Sequence, residues 1–130
     1  MPDRIETVMR AEFLTLRPEM PIREAVAALT RSDAAAAPVL DETGAILGMM
    51  THRDCFRSVL AASYYHQWSG TVADHMTPGA AVLEADTDFV TAAEAFLDQP
   101  YRSYPVVRDG RLVGLLHRGD LLRALLDLGG

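Results

Sequence analysis

The sequence contains no lysine, and all 12 of its cationic residues are arginine. The companion lysine of a kinase-type phosphoryl-transfer site is therefore missing. The composition of a GC-rich genome accounts for this bias better than a functional reason does. Cysteine is also scarce. Cys55 stands alone and can form no internal disulfide, which fits a reducing, cytoplasmic setting. No apolar run reaches the roughly 18 residues that a membrane-spanning helix needs. The opening Met1-Pro2-Asp3-Arg4-Ile5-Glu6 lacks an apolar segment and reads as no secretory signal. With a formal net charge of -6, broad electrostatic binding to nucleic acid or an anionic membrane is disfavoured. Local arginine clusters remain able to hold a phosphate.

What is present is ordinary globular material. Hydrophobic residues make up 49% and charged residues 23% of 130 residues, enough for one compact domain with a real core. The organising feature is an internal repeat. Pro105 to Asp120 has the layout of a short strand, a tight turn at Asp109-Gly110, a second strand and a helix start. Pro38 to Asp54 has the same layout. Pro38 and Pro105 lie 67 residues apart. Gly44, Gly48 and Asp54 precede Gly110, Gly114 and Asp120 by 66, because the second turn is one residue shorter. Each copy ends with an aspartate at a strand-to-helix junction.

The rest of the chain follows the same duplication. Ile5 to Met9, a helical turn or short strand, matches Val72 to Met76. Phe13 to Leu16 reads as a strand and matches Ala80 to Leu83. A helix from Ile22 to Arg31, with Pro21 at its start, places Ile22, Val26 and Leu29 on one face. Its counterpart runs from Asp88 to Asp98, with Thr87 or Asp86 as cap. Hairpins follow at Val39 to Met50 and Val106 to Leu116, and both faces of their strands are nearly apolar, as in covered strands. Terminal helices run from Arg53 to Tyr65 and from Gly119 to Leu128. The linker residues Tyr64, Tyr65, His66, Gln67 and Trp68 read either as a ligand wall or as a segment packed over the core. One repeat of about 60 residues has little core of its own. Two repeats, 1–66 and 67–130, packed about a pseudo-two-fold axis through their small sheets would make one α/β module.

At these residues the chain resembles the cystathionine-β-synthase (CBS) domain family, as a tandem pair. The resemblance is carried by Val8-Met9 and His75-Met76, by Pro38-Val39-Leu40-Asp41 and Pro105-Val106-Val107, and by Gly-x-x-x-x-x-Asp at Gly48 to Asp54 and Gly114 to Asp120. It implies a non-enzymatic regulatory module, with a role such as energy sensing. The module would bind an adenosine-containing ligand (AMP, ADP, ATP or S-adenosylmethionine) in the cleft between repeats and signal to a partner. It also implies a homodimer. No cofactor is required, and the effector protein is not encoded here. A pair that has lost its ligand and serves as a dimerisation or docking module is the alternative.

A carboxylate at a helix start can accept from both hydroxyls of a ribose, and the free backbone N–H groups beside it suit a phosphate. Asp54 and Asp120 both stand there. The family pattern adds a hydroxyl three residues earlier, supplied by Thr51 in copy one and replaced by His117 in copy two. It places the adenine beside Thr15, Ala36 and Ala37 in copy one and beside Tyr104 in copy two. Arg102, just before the second Pro-Val strand, corresponds to a residue that reaches the phosphate in the other copy's site. Arg53 and Arg118 add cations near the helix starts. Other readings stand beside these. Thr51 and Asp54 also fit a capping box. Arg102 also fits a surface cation, and Tyr104 can stack on a base, fill the slot or belong to the core.

No catalytic or metal constellation is expected. His52-Arg53-Asp54 resembles a kinase catalytic loop, but Val59 occupies the place of its asparagine, and the glycine-rich loop and lysine are missing. The four histidines lack the close paired spacing of a metal site. Cys55 reads as a packed thiol.

Overall fold

Glycine, bulge and turn positions in the two copies produce matching hairpins in the computed structural model, which describes residues 3–129. Met1, Pro2 and Gly130 lie outside the described residues, as does the start of the segment read as no secretory signal. The first hairpin joins β1 (Ala36–Leu40) to β2 (Ile46–Thr51), and the second joins β5 (Ser103–Arg108) to β6 (Arg111–His117). Each carries a register shift at the same repeat position, Val39/Leu40 and Val106/Val107. In the second, Asp109 (φ 52°) and Gly110 (φ 78°) are both left-handed, as a two-residue type I′ turn requires. In the first, one Asp41 oxygen accepts from the Thr43 N–H, the Thr43 hydroxyl and the Ala45 N–H, and Gly44 supplies the positive φ.

The chain divides into two units, each with one three-stranded sheet. The Asp54 unit is Leu14–Ala80. Here β3 (Thr77–Pro78) pairs with β2, giving the order β1-β2-β3. Helix α1 (Ile22–Ser32) buries Ile22, Ala25 and Leu29, which pack with Leu16, Val39, Met50 and Val72. Helices α2 (His52–Tyr65) and α3 (Val72–His75) complete it. The Asp120 unit takes in the chain up to Phe13 and from Ala81 on. Its β4 (Leu83–Glu84) runs parallel to β5, and β5 is antiparallel to β6. Ile5, Phe89, Val106, Leu116 and Leu121 form its core, covered by α4 (Phe89–Asp98) and α5 (Arg118–Gly129).

Each unit thus draws on both sequence repeats. The leading segment of copy one, a 3-10 turn at Ile5–Thr7 followed by Arg10, bonds to the second copy: Arg10 and Leu115 exchange N–H···O bonds of 2.8 and 2.9 Å. The leading segment of copy two supplies β3 to the first copy's sheet. Two glycines permit this. A Cβ on Gly48 would run into the Thr77 carbonyl and lie 3.1 Å from Pro78 Cα. A Cβ on Gly114 would run into the Met9 side chain and lie 3.0 Å from the Arg10 carbonyl.

Some expectations are corrected. Phe13 to Leu16 is not a strand; it makes one parallel bridge, Leu16 to Val39. Its counterpart strand is Leu83–Glu84 rather than Ala80 to Leu83. The cap of α4 is Asp88, whose side chain accepts from the Thr91 N–H at 2.7 Å, rather than Thr87 or Asp86. Within the aromatic linker, Trp68 packs on the core whereas Tyr64 (78%) and Tyr65 (70%) are exposed.

Candidate functional site

Both aspartates stand where the sequence expects them, on the first turn of the helix that follows each hairpin. Thr51 caps α2. Its hydroxyl accepts from the Asp54 N–H at 3.2 Å, while Asp54 Oδ2 accepts from the Thr51 N–H at 2.9 Å. The capping box is therefore formed. Asp54 does more than cap, because both of its oxygens also accept from the Thr77 hydroxyl at 3.2 Å. Arg57 Nη1 lies 3.5 Å from Oδ1. The Asp54 side chain is 3% exposed.

Asp120 is held differently. Oδ2 accepts from Arg10 Nε at 2.9 Å. Oδ1 accepts from Arg10 Nη2 at 3.5 Å and Arg123 Nη1 at 3.2 Å. Its side chain is 19% exposed. The hydrogen bond from Arg10 is the main cause that holds this carboxyl below the ordinary aspartate range, against a smaller opposing effect of burial. Burial, then the charge of Arg10, pushes the half-buried His117 ring below the usual histidine value.

Thr77 and Arg10 were missed by sequence reasoning. They stand 67 residues apart, each immediately after the repeated methionine, Met9 or Met76. The duplication therefore held the signal that could have found them. Each contacts the acid of the opposite sequence copy, which only the exchange of leading segments brings about.

The remaining expected residues fall into two groups. In the Asp54 unit, Ala36 pairs with Thr51 and Ala37 with Met50 across β1 and β2, so both lie at the acid's end of the sheet. Both alanines are buried, while Thr15 and Arg53 are exposed. In the Asp120 unit, Tyr104 pairs with Leu116, and the Arg102 carbonyl accepts from the Arg118 N–H at 2.9 Å. Arg102 and Arg118 are exposed. Tyr104 is buried. Its hydroxyl donates to the Ala95 carbonyl at 2.8 Å, and its ring meets Phe96 and Tyr101 edge-on at 4.8 and 5.3 Å. Burial raises its phenol pKa.

Cys55 is buried beside Asp54, and burial, then the aspartate charge, pushes its thiol up, away from the reactive thiolate. A cavity of about 440 Å³ in the Asp54 unit is lined by Ser58, Ala62, Tyr65, Gln67, Ser69 and His75, and by none of the expected ligand residues. Among the described residues, no helix is long and apolar enough to cross a membrane.

Comparison with known proteins bears on both copies. The family model for the CBS domain matches twice, at residues 5–61 and 72–127. An uncharacterised 17.7 kDa protein of Acidianus ambivalens is 24% identical over 98% of this chain and 76% of its own length. The structure of CBSX2, an Arabidopsis thaliana CBS-pair protein, in complex with AMP superposes with a TM-score of 0.85. It is 26% identical, over 98% of this chain and 99% of that one. The cytosolic domain of the Mg2+ channel MgtE in complex with ATP gives a TM-score of 0.80 at 26% identity, over 95% of this chain and 48% of that one.

Proposed function

The chain belongs to the CBS domain family, and from that premise we propose that it is a non-enzymatic regulatory module for an adenosine-containing ligand. The observation that carries this reading is the repetition of one acid. Asp54 and Asp120 both sit on the first turn of a helix after a hairpin, where Thr51 and His117 precede them by three residues. A ribose offers two hydroxyls to such a carboxylate, and the backbone N–H groups at the helix start suit its phosphate. CBSX2 with AMP and the MgtE domain with ATP support the nucleotide class. In the first copy the ribose would take the place of the Thr77 hydroxyl on Asp54, with Thr51, Ala36, Ala37 and Thr15 around it. A change on binding would be passed to a partner protein.

A homodimer belongs to the same proposal. Phe56, Leu60 and Tyr64 lie four residues apart along α2 and are 70%, 69% and 78% exposed. Leu122 and Leu126 repeat the first two positions on α5 at 69% and 75%. Exposed apolar stripes of this kind mark contact surfaces, and a second copy presents the matching patches.

Titration calorimetry with AMP, ADP, ATP, S-adenosylmethionine and NAD tests the function. Heat with at least one adenosyl ligand is expected, and Asp54→Asn should weaken binding more than Asp120→Asn in variants shown to be folded. Absence of heat and of any thermal shift with all five would sink the reading. It would leave a ligand-free docking pair, which the internal contacts of Asp54 and Tyr104 favour.

A further inference from the structure

The two acids are equivalent in the repeat but not in their partners. At the position after the repeated methionine, the Asp54 unit has Thr77 and the Asp120 unit has Arg10. Thr77 offers a neutral hydroxyl at 3.2 Å to each Asp54 oxygen. Arg10 places a guanidinium across the Asp120 carboxylate, with Nε at 2.9 Å and Nη2 at 3.5 Å. Arg123 and its repeat counterpart Arg57 each lie on their own acid, at 3.2 and 3.5 Å, so Arg10 is what sets the two apart. Hydrogen bonds to a carboxylate are charge-assisted in both units, but Arg10 adds a full opposite charge and a two-nitrogen fork that a hydroxyl lacks. A ribose hydroxyl can replace a threonine hydroxyl like for like. On Asp120 it must displace the Arg10 ion pair, and the second hydroxyl that Thr51 offers is missing, because His117 stands there.

We propose that Arg10 is the residue that selects between the two acids: by occupying the Asp120 carboxylate, it confines adenosyl-ligand binding to the Asp54 position, one ligand per chain. This inference rests on the nucleotide-binding reading above. The Arg10 main chain is fixed by its paired bonds to Leu115, so a substitution changes the side chain at Asp120 and leaves the strand contact in place. The side chain is half exposed, so its loss leaves no buried void.

Calorimetric stoichiometry with AMP and, separately, ATP on the full chain tests this. Wild type is expected to take one equivalent. Arg10→Thr, which installs the residue found in the other copy, should take two. Adding Asp120→Asn to Arg10→Thr should return it to one. Arg10→Ala serves as a second variant if Arg10→Thr does not fold. Two equivalents in wild type overturn the inference, as does one in both wild type and Arg10→Thr; either result leaves the nucleotide reading intact. Weaker binding by Arg10→Thr without an added equivalent also overturns it, because Arg10 would then be a ligand contact. If neither wild type nor variants bind, the inference and the nucleotide reading fall together.

Discussion

Gly48 and Gly114 show how one missing methyl can decide a fold. Each lies where another segment passes directly over the strand, and a Cβ there would overlap the Thr77 carbonyl at Gly48 and the Met9 side chain at Gly114. Overpacking of this kind costs about 1–3 kcal/mol. Gly48→Ala should fall at the upper end, because the obstacle is the Thr77 carbonyl, which moves only with β3. Gly114→Ala should cost less, because part of its obstacle is the flexible Met9 side chain. Urea denaturation of both variants checks the order, and equal or negligible losses would show that the leading segments are not seated as described. The repeat made these glycines visible in the sequence. Their purpose was not legible there, since the obstructing atoms lie far away along the chain: Gly114 meets Met9, and Gly48 meets Thr77.

At the scale of elements, helices were the most readable. The spacing of Ile22, Val26 and Leu29 and the proline before them set α1, although Ala25 is buried there while Val26 is only partly covered, and Thr51 with Asp54 set the start of α2. The short edges were not readable in this way. Phe13 to Leu16 looks strand-like, yet among the described residues it makes only two backbone bonds, from Leu16 N–H to Pro38 O and from Leu40 N–H to Leu16 O, each 2.9 Å. Whether so short a segment becomes a strand depends on its neighbour and hardly on its own residues. The leucine stripe of α5 reads alike as core or contact face from sequence. The structure divides it, burying Leu121 and leaving Leu122 and Leu126 outside. If the α2 and α5 stripes are the dimer face, Leu60→Asp should convert a dimer to monomer in sedimentation velocity while leaving helix content unchanged. A wild-type chain that sediments as monomer at high micromolar concentration would remove the dimer proposal.

For the whole molecule, the exchange of leading segments has a direct consequence. We take the units of duplication to be 1–66 and 67–130, and neither contains a complete compact unit. The first lacks β3, and the second lacks the turn that brings the fully buried Ile5 into its core. Expressed separately, the halves should show no cooperative thermal transition, and mixed in equal amounts they should recover one. Independent folding of either half would show that the exchanged segments contribute little. The physical expectation is loss, since a chain of about 60 residues buries too little surface to spare a core residue or a strand.

The sequence by itself determined the duplication, the mixed α/β class, the hairpins and the placing of one carboxylate at each helix start. These follow from local chemistry: glycine at turns, proline at strand and helix starts, apolar spacing and capping side chains. Only the tertiary structure decided what each carboxylate touches. Asp54 is closed in by the Thr77 hydroxyl with Arg57 at 3.5 Å, and Asp120 by the guanidinium groups of Arg10 and Arg123. Thr77 is 23 residues from Asp54, and Arg10 is 110 residues from Asp120. Contacts over such separations are set by which segment crosses which glycine, and local residue preferences carry no record of that choice.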